Sequence, residues 1–117
     1  MTKTEKPWGF EELLESNDWY AFKKLFMKAN ESCSLQYHEH KHETIYVLSG
    51  KLQLEIGVKS DALEKHVLLP GAYYAIAPMT MHRMTGIEDS YYLEASTSGY
   101  GTHLNDVVRL EDKYGRV

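Results

Sequence analysis

Residues 30 to 50 read Asn30-Glu31-Ser32-Cys33-Ser34-Leu35-Gln36-Tyr37-His38-Glu39-His40-Lys41-His42-Glu43-Thr44-Ile45-Tyr46-Val47-Leu48-Ser49-Gly50. Three histidines, His38, His40 and His42, sit between two short segments, 34–36 and 44–48, that read as strands. Just downstream, Leu52, Leu54 and Ile56 alternate with Lys51, Gln53 and Glu55, the period of a strand with one face in a core. Ser49-Gly50 predicts a tight hairpin between two of these strands.

The period of two continues on both sides. Residues 19–28 predict a strand with Trp19, Ala21, Leu25 and Met27 on one face and Tyr20, Phe22 and Phe26 on the other. Further strands are expected at 66–69, 73–76, 82–85 and 91–95, separated by Lys59-Ser60-Asp61, Pro70-Gly71 and Thr85-Gly86 as turns. Residues 11–15 fit either a short helical turn or edge structure, and the charged tail 107–117 either a last strand with a cap or a partly ordered end. Many short strands with turns every eight to twelve or so residues predict an all-β fold, a small antiparallel barrel or jelly roll. At 117 residues, one domain over 1–117 is expected.

Composition narrows the function classes. With 13 basic against 17 acidic residues the formal charge is −4, which argues against a nucleic-acid partner. Apolar residues make up 43% and mean hydropathy is −0.48, with no run long enough to span a bilayer, so no membrane association is expected. The start, Met1 to Lys6, lacks the apolar stretch of a secretory signal, and the expected compartment is the cytoplasm. Cys33 is the single cysteine, which excludes an internal disulfide and a thiolate zinc cluster.

The six histidines remain. On one strand Gln36, His38 and His40 share a face, whereas Glu43 is out of phase by one residue. It can join them only if a bulge or turn near Lys41 and His42 interrupts the strand. Histidines with a carboxylate on one face hold divalent metals. A solvated charged loop is the plainer reading of His-Glu-His-Lys-His-Glu.

Spacing along the chain favours a site. Asn30, five residues, Gln36-x-His38, four residues, Glu43, six residues and Gly50 follow the first motif of the cupin superfamily, which the sequence resembles. Asn30 replaces the opening glycine, and asparagine tolerates the left-handed backbone a turn there needs. Gln36 replaces the first histidine. Gly71, five residues, Ala77-x-Met79, two residues, His82, three residues and Gly86 follow the second motif, with Ala77 and Met79 in place of its proline and glycine. Lys6-Pro7-Trp8-Gly9, Ser34-Leu35-Gln36-x-His38 and the tail from Val107 to Arg116 are similar to the cupin domain of type II mannose-6-phosphate isomerases.

The resemblance implies a divalent metal, zinc, manganese, iron or nickel, held inside the fold by Gln36, His38, Glu43 and His82. His40 is the alternative to Gln36, since it is in phase with His38 and a nitrogen donor. His42, His66 and His103 are expected outside the site. The implied substrate is a small molecule, a phosphorylated sugar, isomerised between aldose and ketose by proton transfer beside a metal-polarised carbonyl. No residue stands out as the base. Arg109, Lys113 and Arg116 are the candidate phosphate-binding cations, with a solvated tail as their alternative; Arg83, next to His82, should point the other way.

Tyr37, Tyr46, Tyr73, Tyr74, Tyr91, Tyr92 and Trp8 could line a sugar pocket, or serve as core and subunit interface. Two other functions fit the same residues: a non-catalytic sugar- or metabolite-binding module, and an iron-dependent oxygenase using a His/His/Glu set. A homodimer is expected, with the aromatic segments 8–10 and 19–26 at its interface.

Overall fold

The computed structural model describes residues 2–117, folded into eleven strands and one 3-10 turn, Gly99–Gly101. Strands β1 (Thr2–Lys6), β2 (Gly9–Ser16), β3 (Tyr20–Met27), β5 (Glu43–Ser49), β8 (Tyr73–Ile76) and β10 (Ser90–Thr97) form one sheet in the order β1-β2-β3-β10-β5-β8. Strands β4 (Leu35–Tyr37), β6 (Leu52–Gly57), β7 (Glu64–Leu68), β9 (Met81–Gly86) and β11 (Val108–Glu111) form the second, in the order β11-β4-β9-β6-β7. All pairings between these strands are antiparallel. The architecture is a jelly roll of two facing sheets that do not close into a barrel. Among the described residues no helix is long and apolar enough to cross a membrane.

Ser49-Gly50 does not make the expected hairpin. It carries the chain from β5 in one sheet to β6 in the other. Gly50 has φ +86° and packs against residue 89, where a Cβ would lie 2.2 Å from the Asp89 carbonyl oxygen, so the corner is too tight for a side chain. Pro70-Gly71 and Thr85-Gly86 likewise mark passages between sheets, whereas the turn at 59–61 closes the true hairpin β6–β7. Residues 11–15 belong to β2, and the tail contributes β11 on the edge of the second sheet.

The inward faces follow the period of two. In β5, Glu43, Ile45 and Val47 are buried and Thr44, Tyr46 and Leu48 exposed; in β9, His82, Met84 and Gly86 are buried. Leu25, Met27, Ile45, Val47, Leu52, Leu54, Ile56, Ile76 and Tyr92 pack between the sheets. Each such aliphatic side chain contributes about 1.5–3 kcal/mol relative to an exposed one. Two of the expected surface aromatics divide. Trp8 is buried in this core, which removes it from any interface, while Trp19 precedes β3 and is 70% exposed. Glu43, Glu94 and His82 occupy inward positions in phase with apolar neighbours, and Glu43 and Glu94 border a cavity.

Candidate metal centre

The strand interruption that Glu43 requires is present. β4 ends at Tyr37, a turn spans 39–42, and β5 begins at Glu43 in the opposite sheet. The turn therefore brings His38 and Glu43 to the same interior from facing sheets. His82 arrives on β9, directly opposite Gln36 on β4. One ligand atom from each of His38, Glu43 and His82 lies within 4.8 Å of the others, and all three side chains are buried. Glu43 Oε1 is 2.8 Å from His82 Nε2 and 3.3 Å from His38 Nε2.

Hydrogen bonds on the far side of each ring set what the ring presents. His82 Nδ1 lies 2.9 Å from the Thr80 carbonyl, and His38 Nδ1 meets the Asp106 carbonyl. With Nδ1 donating, each neutral imidazole turns an Nε2 lone pair towards Glu43. Three acceptors, His38 Nε2, His82 Nε2 and Glu43 Oε1, then converge with no hydrogen between them, and each is buried without a hydrogen-bond partner. A cation, either a proton or a metal ion, resolves that arrangement. The donor set, two imidazole nitrogens and a carboxylate oxygen, fits a divalent transition metal.

Burial alone would raise the Glu43 carboxyl, but the two imidazoles hold it well below the usual carboxylate range, so it is anionic. Burial likewise opposes the charged form of His82, yet the adjacent Glu43 carboxylate outweighs it and shifts His82 upward.

His38 and Glu43 border a cavity of about 550 Å³ that also meets Trp8, Tyr92, Gln36, Glu94, Arg109, Arg116 and residues 104–107, while His82 lies fully buried behind Glu43. The cavity's basic side chains, Lys6, Lys23, Lys41, Arg109 and Arg116, outnumber its acidic ones, Glu11, Glu43, Glu94 and Asp106, in a chain whose total charge is −4.

The remaining sequence candidates separate on position. Gln36 faces the cavity beside His82, and its Oε1 accepts a hydrogen bond from Ser34 Oγ at 2.6 Å. His40 is exposed, with its ring stacked 6.2 Å from that of His103, away from Glu43. Arg109 pairs with Gln36 across β11 and β4, which makes His82, Gln36 and Arg109 one row across three strands. Directly opposed residues share a face, so the Arg109 side chain is carried into the cavity about 10 Å from His82, two strand spacings away. Its Nε is buried with no partner. Arg116 also borders the cavity but is tied to Asp112 through two nitrogens, at 2.6 and 3.1 Å. Lys113 does not border it; its Nζ sits 3.1 Å from the Glu31 carboxylate. Arg83 points away from His82, as expected, and bonds Glu55 at 2.6 Å. Of the expected aromatics, Trp8 and Tyr92 reach the cavity.

Among the cavity residues that the sequence did not nominate, Glu94 and Asp106 bear on the chemistry. Glu94 lies inward on β10, and burial together with the nearby Glu43 charge pushes its carboxyl up to about 7. Asp106 holds the turn beside His38. Nothing local marks either one: Glu94 sits in a plain strand and Asp106 in a polar loop. Cys33 borders the cavity too, but burial pushes its thiol up to about 11, which keeps it unreactive.

Comparison with known proteins gives the family and the fold. Residues 1–112 match the family described as Mannose-6-phosphate isomerase C-terminal. The chain is 30% identical over 117 residues to Mannose-1-phosphate guanylyltransferase ManC of Salmonella typhimurium, covering 96% of this chain and 22% of that protein. It is 30% identical over 113 residues to Alginate biosynthesis protein AlgA of Pseudomonas aeruginosa, covering 95% and 22%. The chain thus spans less than a quarter of the length of these relatives.

Among solved structures, the capsular polysaccharide assembling protein CapF of Staphylococcus aureus superposes with a TM-score of 0.81 at 16% identity, over 94% of this chain and 31% of that one. KdgF from Halomonas sp. gives 0.73 at 18% identity, over 83% and 87%. Oxalate decarboxylase of Bacillus subtilis gives 0.78 at 15%, over 93% and 30%. At these identities the likeness is one of fold. The match over residues 1–112, on a jelly roll of this kind, shows that the chain belongs to the mannose-6-phosphate isomerase C-terminal family of cupin domains.

Proposed function

We propose that the chain binds a divalent metal ion through His38, Glu43 and His82 and interconverts the aldose and ketose forms of a phosphorylated sugar, as a mannose-6-phosphate isomerase does. The observation that carries the metal reading is the meeting of three buried acceptors that lack any donor between them. A divalent ion there supplies a Lewis acid that polarises the substrate's oxygens and stabilises the negative charge developed during proton transfer.

The chain's own residues supply the rest. Gln36 keeps one Oε1 lone pair after its bond from Ser34, available to the metal or to a sugar hydroxyl. Arg109, with its unpartnered Nε, holds the phosphate at the far end of the row from His82. Arg116 is neutralised by its bonds to Asp112, and Lys113 contributes nothing to this cavity. Glu94 is the group suited to hold and move a proton, because its carboxyl reaches about 7 within the same cavity. Of the segments expected at a homodimer interface, Trp19 is 70% exposed just before β3, and a solution mass measurement tests the dimer.

The test is a coupled assay on metal-loaded protein, converting mannose 6-phosphate to fructose 6-phosphate. Turnover with at least one divalent ion is expected; none across a range of ions contradicts the reaction. A melting-temperature shift with the sugar phosphate but no turnover would favour a binding module instead. A second reading has one observation behind it: a set of two histidines and one glutamate, with His40 outside it, also suits a non-haem iron oxygenase. A redox-inert metal in protein as isolated counts against that reading.

A further inference from the structure

The turn at 39–42 decides whether His38 reaches the site, and it is held from 65 to 67 residues away. Three successive amides donate to the Asp106 carboxylate: Glu39 N at 2.9 Å to Oδ1, and His40 N at 2.8 Å and Lys41 N at 2.9 Å to Oδ2. The backbone carbonyl of the same residue receives His38 Nδ1. β4 ends at Tyr37, so His38 lies beyond its strand; its other anchor is its own carbonyl, which accepts from Met79 N at 2.7 Å.

We propose that Asp106 is a positioning residue for the metal centre, fixing both the rotation and the tautomer of His38. This rests on the reading of His38, Glu43 and His82 as metal ligands. The carboxylate clamps the backbone on which His38 turns, and the carbonyl makes Nδ1 the donor, which leaves the Nε2 lone pair facing Glu43. Asp106 also borders the cavity, and three residues later the chain delivers Arg109. One segment therefore secures a metal ligand and carries the free guanidinium. Orientation of a ligating histidine by its outer hydrogen bond changes metal affinity by about 10–100-fold when lost.

The experiment compares wild type with D106N, which keeps the shape of the side chain but puts an N–H donor where amides already donate. Co²⁺ titration, followed by visible absorption, gives the metal Kd, and thermal melts with and without Co²⁺ give the metal-induced rise in Tm. D106N is expected to weaken Co²⁺ binding about 10–100-fold, shift the Co²⁺ absorption bands and shrink the metal-induced rise in Tm. A purely structural Asp106 would lower both melts together and leave Kd and bands as in wild type; that result overturns the proposal. If D106N does not fold, the wild-type protein still tests the tautomer by ¹⁵N NMR of its imidazoles: metal-free His38 protonated on Nδ1 supports the proposal and on Nε2 overturns it. Wild type that binds Co²⁺ no better than H82A removes the metal reading itself, whereas tight wild-type binding matched by D106N removes the role of Asp106 alone.

Discussion

Glu43 Oε1, on β5 of one sheet, lies 2.8 Å from His82 Nε2, on β9 of the other. The contact joins the two layers of the jelly roll at the floor of its cavity, and it is either an ion pair or half of a metal site. The two states compete. A metal needs the imidazole neutral, whereas Glu43 favours its protonated form and shifts His82 upward after outweighing burial.

Metal binding should therefore strengthen with rising pH. Isothermal titration at pH 6 and pH 8 is expected to give the tighter Kd at pH 8, with protons released on binding at the lower pH. The metal-free protein behaves in the opposite sense at this pair. Because His82 is raised in the fold, the stability it contributes is full below its unfolded value of 6.5 and fades as pH climbs through the folded one. Glu43 is depressed, so its contribution is present above 4.5 and fades as pH falls through its folded value.

Glu94 gives a separate pH signature. Its carboxyl stands at about 7 in the fold against 4.5 unfolded, chiefly through burial and then through Glu43. Between those values the unfolded chain ionises first, so stability falls with rising pH, by about 3 kcal/mol once pH exceeds the folded value. Glu94→Gln should remove that loss and raise the melting temperature of metal-free protein at pH 8 relative to wild type. If the proposed isomerisation holds, the same substitution is expected to cut its kcat about 10²–10⁴-fold. Melts at pH 5 and pH 8 read the first effect and the coupled assay the second.

In the proposed reaction Arg109 is the cation that would separate phosphorylated from free sugar. Arg109→Ala should weaken binding of mannose 6-phosphate about 10–100-fold, the worth of a charge-assisted hydrogen-bond set, and leave mannose little changed. Lys113→Ala, outside the cavity, should leave both as in wild type. Calorimetry on the metal-loaded proteins checks the pair.

Met79 occupies the position of the glycine in the second cupin motif and holds φ +61°, a conformation that costs a side-chain-bearing residue about 1 kcal/mol or more. The side chain is 57% exposed, so little packing is lost with it. Met79→Gly is expected to raise stability by about 1 kcal/mol in urea unfolding, with the Met79 N to His38 O bond kept.

The strands were legible because period-two alternation survives in β3, β5, β6 and β9, where one face meets the core. Asn30 also behaved as its place in the motif implies, at φ +67°. The partners of the strands were not legible. Ser49-Gly50 has the residues of a hairpin, yet whether β6 folds back on β5 or crosses to the other sheet depends on contacts with residue 89, far along the chain. In the site, His38, Glu43 and His82 could be picked out because motif spacing fixes them. Arg109 could be nominated but not told from Arg116 and Lys113, since Asp112 and Glu31 neutralise the latter two only in the fold. Glu94 and Asp106 were silent, because their roles arise from neighbours 51 and 66 or so positions away in sequence.

Metal content, measured per chain by mass spectrometry after loading and dialysis, tests the centre most directly, on wild type, His38→Ala and His82→Ala together. One divalent ion per wild-type chain, lost in both variants while circular dichroism still reports the β fold, is the predicted result. A wild-type chain without metal, or folded variants that keep it, would contradict the assignment.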